Sequence, residues 1–444
     1  MALTVSDGDD SVTITGTVPA SRLGQFSWAL FDWANQPYFT LVTTFIFAPY
    51  FTLHVVGDAV RGQELWGYGQ ALAGLCIALL SPVMGAIADA AGPRKPWIVC
   101  FQLICVAACA GLWLAMPGAS GGDLVWIIGL VVMASLGAEF ATVFNNAMLP
   151  GLAARSRLGR LSGRAWALGY LGGLISLGFI LGGFSLPDVP LFGLDKASHE
   201  HDRVVGPFSA VWMIIFVLPL LLFTPDAAPS GIGRRQAARK GLRHLVGTLR
   251  EVRHYRNVML FLLARMAYFD GLSAVFAFGG IYAAGTFGFT FEDIFLFGIV
   301  LNITAGIGAF ALGFLDDIIG GKNTIQISNI GFIAACLLAV FTTNVTVFWI
   351  SGILIGICSG PNQAASRSLM ARFIPKDKEN EFFGFFAFTG KATAFLGPLL
   401  LGIITQTFNS QRYGVFTVVV LFLIGLLLMS RVDEKTGVSQ KELI

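Results

Sequence analysis

The sequence predicts an all-α polytopic membrane protein whose twelve transmembrane helices form two pseudo-symmetric six-helix bundles. Of the 444 residues, 55% are hydrophobic and 12% are charged, whereas soluble domains carry about 25% charged residues. Apolar windows, separated by charged or turn-forming residues, are long enough to cross a bilayer, for which about 20 residues suffice. The two halves of the chain also share motifs in the same order, which indicates an internal repeat.

The chain contains a single long polar connection, between the sixth and seventh apolar windows. The layout is therefore six spans plus six. The predicted spans are 27–53, 66–90, 97–116, 124–146, 162–184, 207–224, 257–284, 292–315, 324–342, 346–370, 381–406 and 412–430. The predicted domains are a cytoplasmic N-terminal tail 1–26, an N-terminal bundle 27–224, a cytoplasmic linker 225–256, a C-terminal bundle 257–430 and a cytoplasmic C-terminal tail 431–444.

Charge placement predicts the orientation. With both termini inside, most of the 29 Lys and Arg residues fall in cytoplasmic segments, as the positive-inside rule requires. We expect the plasma membrane, or the inner membrane of a bacterium, to be the host. In the linker, Leu242, Leu245 and Val246 recur at helical spacing among basic residues, which predicts a basic amphipathic helix on the inner leaflet. It either ties the halves together or senses lipids.

The composition and motifs argue against several other classes. The net charge of +3 gives no case for a nucleic-acid partner. The six cysteines fall in apolar spans without a CxxC pair, and the five histidines lack the paired spacing of a metal site. The sequence contains no nucleotide-binding loop or nucleophile motif. We therefore expect neither an enzyme nor a bound cofactor or metal.

The first span carries the polar groups that suggest a function. Asp32 lies within an apolar run and is followed by Asn35, Gln36 and Pro37. A carboxylate and two amides are costly in hydrocarbon unless they face protein or water, and Pro37 frees a backbone carbonyl one turn earlier. This helix is predicted to form one wall of a transport pathway.

Three motifs recur in the second half of the chain. The run that ends at Asp32 matches the one that ends at Asp270, and Pro150, Gly159 and Gly172 have counterparts later in the chain. The loop after the second span matches the loop after the eighth. These two loops read GAIADAAGPRK (85–95) and GFLDDIIGGKN (313–323).

Twelve spans, a long middle loop and this glycine–aspartate loop in both halves resemble the major facilitator superfamily of secondary transporters. Several runs are similar to one branch, the autophagy-linked vacuolar amino-acid effluxers and their bacterial relatives. They are WALFDWAN (28–35), NNAMLP (145–150), RLSGRAWALGYLGG (160–173), FAFGGIYAAGTFG (276–288), SRSLMARFIP (366–375) and EFFGFFAFTGKATAFLGP (381–398). The resemblance implies bundles that rock about a central cavity lined by the first, fourth and seventh spans. The basic residue that usually follows the loop aspartate is replaced by Ala90, so Arg94 and Lys95 are expected to make its contact.

Ionisable residues deep in the spans are candidates for coupling transport to protons. Opposite charges at similar depth suggest that Asp32 pairs with Lys391 or that Glu139 pairs with Arg265. Either these are structural ion pairs, or a carboxylate binds and releases a proton as access alternates. The candidate proton-coupling residues are Asp32, which we favour, Asp270 and Glu139.

Amides, aromatic residues with a polar edge, and cations within the spans are candidates for substrate binding. Aromatic residues of this kind more often pack against other side chains than contact a ligand. The candidates are Asn35, Gln36, Tyr38, Asn145, Asn146, Arg265, Gln363, Lys391, Trp33 and Trp166, with Asn302 and Tyr170 beside them.

Charges at the cytoplasmic helix ends are candidates for a gate that locks the inner side in the outward-open state; alternatively, they are solvated and only set the topology. The gating candidates are Asp89, Arg94, Lys95, Asp317, Lys322, Arg367 and Glu381.

The sequence thus predicts a monomeric secondary active transporter that moves a small polar solute, amino acids first, by alternating access with protons as the coupling ion. Membrane lipid and the solute are its expected partners. A transporter of a bulkier solute, such as a siderophore or cell-wall fragment, and a non-transporting membrane receptor are the alternatives.

Overall fold

The computed structural model describes residues 11–231, 234–250, 255–375, 377–394 and 396–434. In this part of the chain the secondary structure is helical, with one isolated β-bridge between Thr13 and Ala154. Eleven helices are long and apolar enough to cross a membrane. The helices are α1 Arg22–Val55, α2 Ala59–Ala91, α3 Lys95–Leu114, α4 Gly122–Gly151, α5 Arg155–Ser185, α6 Glu200–Phe223, α7 Arg234–Arg250, α8 Arg256–Phe287, α9 Phe291–Ile319, α10 Gly321–Phe341, α11 Val345–Phe373, α12 Glu379–Lys391, α13 Leu396–Phe408 and α14 Gln411–Ser430.

The helices run alternately between two faces, so the two ends of the described chain lie on the same face, here called the termini face. The Ala20 N–H donates to the Leu152 carbonyl there, and the Asp433 N–H donates to the Asn257 side chain. The opposite face is called the far face.

The predicted linker helix is present as α7 on the termini face. It buries Ala237 and Leu245 and leaves Leu242 exposed, and a Cβ on Gly241 would lie 2.5 Å from the Ala86 carbonyl oxygen, so α7 crosses α2 closely there. Residues 232–233 and 251–254 of the linker, and the predicted tail segments 1–10 and 435–444, lie outside the described residues.

Pro37 reshapes the first span. The helix continues beyond it as a π-helical segment, Tyr38–Phe45. Proline cannot donate to the carbonyl four residues earlier, which here belongs to Trp33. The indole N–H of Trp212 on α6 donates to that carbonyl at 3.1 Å. The backbone oxygen that Pro37 frees is therefore satisfied within the bundle, as the membrane interior requires.

The internal repeat is visible in how α3 and α10 begin. The Asp226 carboxylate, after the sixth span, accepts the N–H groups of Arg94 and Lys95. The Glu434 carboxylate, after the twelfth span, accepts those of Gly321 and Lys322. Carboxylates satisfy the unpaired N–H groups at a helix start and interact favourably with its dipole. In each half of the chain, the helix that forms the third span is thus capped by an acidic residue that follows the sixth span of that half.

The eleventh span is broken, whereas the sequence predicted one continuous helix over 381–406. α12 ends at Lys391 and α13 begins at Leu396. Pro398 falls in the first turn of α13, where a missing N–H costs nothing because no intrahelical acceptor is available there. Polar backbone in the membrane interior is tolerated only where protein or a cavity covers it, and a Cβ on Gly397 would contact the Asp270 carbonyl oxygen of α8.

Candidate translocation site

A cavity of about 1360 Å³ separates the two bundles in the far half of the molecule. Its wall includes Pro49 near the far end of α1, Trp66 near the far end of α2 and Gln411 at the start of α14, so the cavity extends to the far face. The first and seventh spans line it as expected from the resemblance. Among the described residues, the fourth span contributes only Asn146, in a small adjoining pocket.

Most of the cavity wall is apolar, with a small number of amides among the aromatic side chains. Gln36, Asn302 and Gln363 line it. The amide of Gln363 on α11 donates to the hydroxyl of Tyr170 on α5 at 3.0 Å. This hydrogen bond joins the two bundles where the wall is deepest.

A second, small pocket of about 30 Å³ lies behind Gln363. Asn146, Trp166 and Arg265 line it together with Arg367. Three predicted substrate-binding residues therefore lie next to the large cavity rather than in its wall.

Asp32 pairs with Arg367 of the opposite bundle, at 2.8 Å between Oδ2 and the guanidinium. The predicted pairing of Asp32 with Lys391 is wrong. The placement of Arg367 at a cytoplasmic helix end is wrong as well, because its side chain is only 3% exposed and lies inside α11. It also donates to the Ser162 hydroxyl and carbonyl oxygens at 2.9 and 2.8 Å, and to the Asn146 side chain at 3.3 Å. A charge buried this deeply is stable only when paired and hydrogen-bonded.

The second cross-bundle ion pair joins Glu139 on α4 to Lys391 at the end of α12, at 2.7 Å. The predicted pairing of Glu139 with Arg265 is therefore also wrong. Helical rise gives depth along the membrane normal but not the direction in which a side chain points, so four charges at similar depth could be matched in more than one way.

Arg265 has no carboxylate partner within ion-pair distance among the described residues. It is buried and donates to the Phe386 carbonyl at 2.7 Å and to the Thr389 hydroxyl at 3.1 Å, and its guanidinium lies 3.5 Å from the centre of the Phe386 ring. Asp270, one turn along α8, is 3% exposed, and its Oδ1 accepts no hydrogen bond from the described residues.

Four further substrate candidates lie in packed interfaces. Tyr38 is fully buried and bonds to Ser135 at 2.6 Å. Asn35 accepts a hydrogen bond from Gln102, Trp33 stacks on Trp212, and Asn145 is fully buried. In this conformation these four side chains pack inside the N-terminal bundle.

The termini-face half of the interface is closed by two glycine-lined helix crossings. α2 crosses α12 where Gly85 touches the Asn380 backbone. α5 crosses α9 where a Cβ on Gly163 would lie 2.6 Å from the Ala309 carbonyl oxygen. Small residues let helices approach this closely, so the bundles pack tightly here, whereas a cavity lies between them towards the far face.

Asp89 holds the first crossing by capping a helix of the other bundle. Its carboxylate accepts the backbone N–H groups of Asn380 at 3.0 Å and Glu381 at 2.8 Å, at the start of α12. Glu381 therefore contributes its backbone rather than its carboxylate. Arg94 adds an ion pair to Glu379 at 3.2 Å, so it makes the cross-bundle charge contact expected in the absence of a basic residue after Asp89.

Asp317 holds the second crossing in the same way. Its carboxylate accepts the N–H groups of Gly159 at 2.8 Å and Arg160 at 3.0 Å, at the start of α5. The side chain of Arg160 adds a salt bridge at 2.9 Å, and Arg372 of the same bundle approaches at 3.3 Å.

Two of the predicted gating cations do not cross between bundles. Lys95 donates its ammonium group to the Leu221 carbonyl at 2.8 Å, and Lys322 donates to the Ser430 and Val432 carbonyls at 2.9 and 2.6 Å. Both bond within their own bundle, where a cation suits the carbonyl-rich end of a helix.

The sequence analysis missed the acids and arginines that support these contacts. Asp316 binds Arg372 and Ser368, and neither Arg160 nor Arg372 stood out among the many basic residues of the loops. The doubled aspartate in the loop at 313–323 was the available signal, because the first loop has alanine at the corresponding position.

Two pseudo-symmetric bundles, a cavity between them and a closure at one face define a membrane transporter of the major facilitator superfamily. A family model described as "Vacuole effluxer Atg22 like" matches residues 52–442, and the chain belongs to this family.

Individual relatives agree with this assignment. The chain is 28% identical over 434 residues to the uncharacterised MFS-type transporter YxiO of Bacillus subtilis (strain 168), covering 94% of this chain and 96% of the relative. It is 24% identical over 300 residues to autophagy-related protein 22 of Cryptococcus neoformans var. neoformans serotype D (strain B-3501A), covering 63% of this chain and 53% of that protein. The match thus spans about half the length of this fungal relative.

Among solved structures, the human organic anion transporter MFSD10 superposes with a TM-score of 0.71 at 15% identity, covering 92% of this chain and 99% of that one. Identity this low establishes the shared fold and nothing more.

Proposed function

We propose that this protein is a secondary active transporter that moves a small polar solute, amino acids first, by alternating access coupled to protons. The observation that carries the proposal is the Asp32–Arg367 ion pair, which crosses between the bundles below the cavity. Because it crosses, it must break when the termini face opens.

The proposed cycle rests on the two halves of the interface. The predicted units 27–224 and 257–430 move as rigid bodies, with the linker 225–256 connecting them. Contacts at Asp89 and Asp317 hold the termini face shut while the cavity admits solute from the far face. When the termini face opens, water replaces these contacts. Gln36 and Gln363, deep in the cavity, then become accessible from the termini face.

Proton coupling follows from the cost of an unpaired charge. While Arg367 is 2.8 Å away, the Asp32 carboxylate is compensated as an anion. Protonation of Asp32 would remove this attraction and so favour separation of the bundles. Asp270 is the second candidate for the coupling site, because it is buried and its Oδ1 accepts no hydrogen bond from the described residues.

The proposed orientation places the termini face in the cytoplasm of the host cell, because most Lys and Arg residues fall on that side. The far-face cavity then opens outside the cell, or into the lumen if the membrane is vacuolar. We propose the plasma or bacterial inner membrane as the host and a monomer as the working unit.

Transport in proteoliposomes with an imposed pH gradient and a panel of amino acids tests this function. We expect Asp32→Asn to lose accumulation against a gradient but to retain exchange of solute. Asp123→Asn, which changes an exposed carboxylate on α4, is the matched control and should behave like the wild type. Unaltered pH dependence in Asp32→Asn would exclude Asp32 from coupling.

A bulkier solute is the second candidate, favoured by the volume of the cavity. At about 1360 Å³, it exceeds the range of roughly 300–1,000 Å³ typical of small-molecule sites. Flux of a siderophore or cell-wall fragment without amino-acid flux would select this alternative. No flux of any solute through folded protein would favour a receptor.

A further inference from the structure

Three of the five histidines in the chain meet at the far face of the N-terminal bundle, although they come from distant segments. His199 and His201 lie where the connection after α5 enters α6, and His54 lies near the end of α1. The rings of His54 and His199 have centroids 3.9 Å apart. His199, His201 and Asp202 come from one four-residue stretch, and the fold brings His54 of α1 against them.

Asp202 lies between the histidines and completes a set of donor atoms. Its Oδ2 is 3.0 Å from His199 Nδ1 and 3.5 Å from His201 Nε2. One ligand atom from each of these three residues lies within 4.8 Å of the others. Ligands bound to one ion at about 2.0–2.2 Å are separated by less than this, so small side-chain movements would bring all three onto a common ion.

The other charges of this segment are already engaged. The Glu200 carboxylate accepts the Asp195 N–H at 2.8 Å and pairs with Arg203 at 3.6 Å. Lys196 donates to the Ser185 carbonyl at 2.8 Å. Asp202 is therefore the acid of the segment that faces the imidazoles, and no lysine or arginine among the described residues forms an ion pair with it.

Two features of this histidine cluster are energetically unfavourable. His199 has a left-handed backbone, with φ 56° and ψ 31°, which is unfavourable for a residue with a Cβ. The Nδ1 of His201 is buried and has no hydrogen-bond partner among the described residues, and an unsatisfied buried polar atom is destabilising. Both features lie within the stretch 199–202 that supplies the donor atoms.

We propose that His199, His201 and Asp202 form a binding site for a divalent transition-metal ion, with Zn²⁺ as the best fit. His54 lies outside this group of three but stacks on His199, and it turns to supply the fourth ligand. Imidazole nitrogens and one carboxylate are a ligand set that suits Zn²⁺. The ion is resident rather than transported, since the cluster lies apart from the wall of the large cavity. A solvated group of polar side chains is the competing explanation, and it differs in requiring no stoichiometric ion.

A bound ion would fix the far end of α1 to the start of α6. Phe45 and Pro49 of α1 line the cavity, and the ring of Tyr50 contacts both His54 and His199, with centroids 6.0 and 5.6 Å away. The site would therefore hold one side of the cavity mouth in place.

The test uses purified full-length protein with an affinity tag free of histidine. Zn²⁺ affinity is measured by competition with a chromophoric chelator, and Co²⁺ absorption reports the coordination geometry. We expect one equivalent of metal per chain, a tetrahedral Co²⁺ spectrum, and binding weakened at least about tenfold, or about 1.4 kcal/mol, in His201→Gln and in Asp202→Asn. His244→Gln, on α7 at the termini face, is the matched control and should bind like the wild type.

A second readout separates loss of the site from loss of the fold. Zn²⁺ should raise the melting temperature of the wild type and of His244→Gln but not that of His201→Gln. If His201→Gln fails to fold, His54→Gln takes its place, because His54 is exposed. Equal Zn²⁺ affinity in the wild type and the cluster variants, or no stoichiometric binding in the wild type, would overturn the proposal.

Discussion

The two bundles share a backbone plan but carry different charges. In the membrane interior, Asp32 of the N-terminal bundle is paired across the interface with Arg367, whereas the repeat-related Asp270 has no partner for Oδ1 among the described residues. At the termini face, Asp89 and Asp317 each accept two backbone N–H groups of the opposite bundle.

The side chains around these two loop aspartates differ more than the backbone contacts do. Asp317 also receives the guanidinium groups of Arg160 and Arg372. Among the side chains of the described residues, Asp89 receives the neutral amide of Asn380 and no cation. The capping of a helix in the opposite bundle is thus common to both halves of the repeat. The charged side chains around the capping aspartate differ between the two halves. The α5–α9 crossing should therefore be the stronger half of the closure.

The largest effect is expected at the buried ion pair. Arg367→Met leaves Asp32 without its counter-charge and should destabilise the protein by about 3–5 kcal/mol, measured by thermal unfolding in detergent. Adding Asp32→Asn should recover part of this loss. Lys391→Met, which breaks the more exposed Glu139–Lys391 pair, should cost less than about 1 kcal/mol. Equal losses in the two single variants would remove the distinction between the pairs.

Replacing Asp89 or Asp317 tests whether the α5–α9 crossing stabilises the closure more than the α2–α12 crossing does. Asp317→Ala should shift the population towards an open termini face by about 2–3 kcal/mol, and Asp89→Ala by about 1–2 kcal/mol, because hydrogen bonds to charged partners are the stronger ones. Spin-label distances across the termini face, in a cysteine-free background, measure the shift. We also expect Asp89→Ala to lower the transport rate more than the apparent affinity. A larger shift for Asp89→Ala than for Asp317→Ala would reverse the assignment.

Glycine substitutions test the backbone plan that the bundles share. A Cβ on Gly85 or Gly163 would strike the backbone of the opposite bundle, so an alanine at either position should disfavour closure by about 1–3 kcal/mol. Gly74→Ala on α2 and Gly178→Ala on α5 are the controls, since no atom lies within 4 Å of either added Cβ. Spin-label distances across the termini face again measure the shift. An effect at only one of the two crossings would show that the bundles do not share this packing.

The smallest effect on stability is expected at the two acidic residues that cap α3 and α10, because this contact is alike in both halves. Asp226→Ala and Glu434→Ala each remove the acid that caps α3 or α10, and each should lower stability by about 1 kcal/mol. Thermal unfolding measures both. A cost of several kcal/mol for one and none for the other would indicate that only one cap is structural.

The sequence predicted the fold well because span length, apolar composition and an internal repeat are local signals. It also identified the polar first span, the loop aspartates and the basic linker helix. It predicted the wrong partners for Asp32 and Glu139, since residues on different helices meet according to helix rotation, which hydropathy does not encode. The break between α12 and α13 was not predicted, because the residues between Lys391 and Leu396 include neither proline nor glycine.

The amino-acid sequence by itself determined that this chain crosses the membrane many times and that its two halves are related, because hydrocarbon accepts only backbone that is satisfied within a helix. Only the tertiary structure decided which charges neutralise one another, which face is closed and which histidines meet. Those outcomes depend on contacts between helices that are far apart in the chain, where burial makes the identity of each partner decisive.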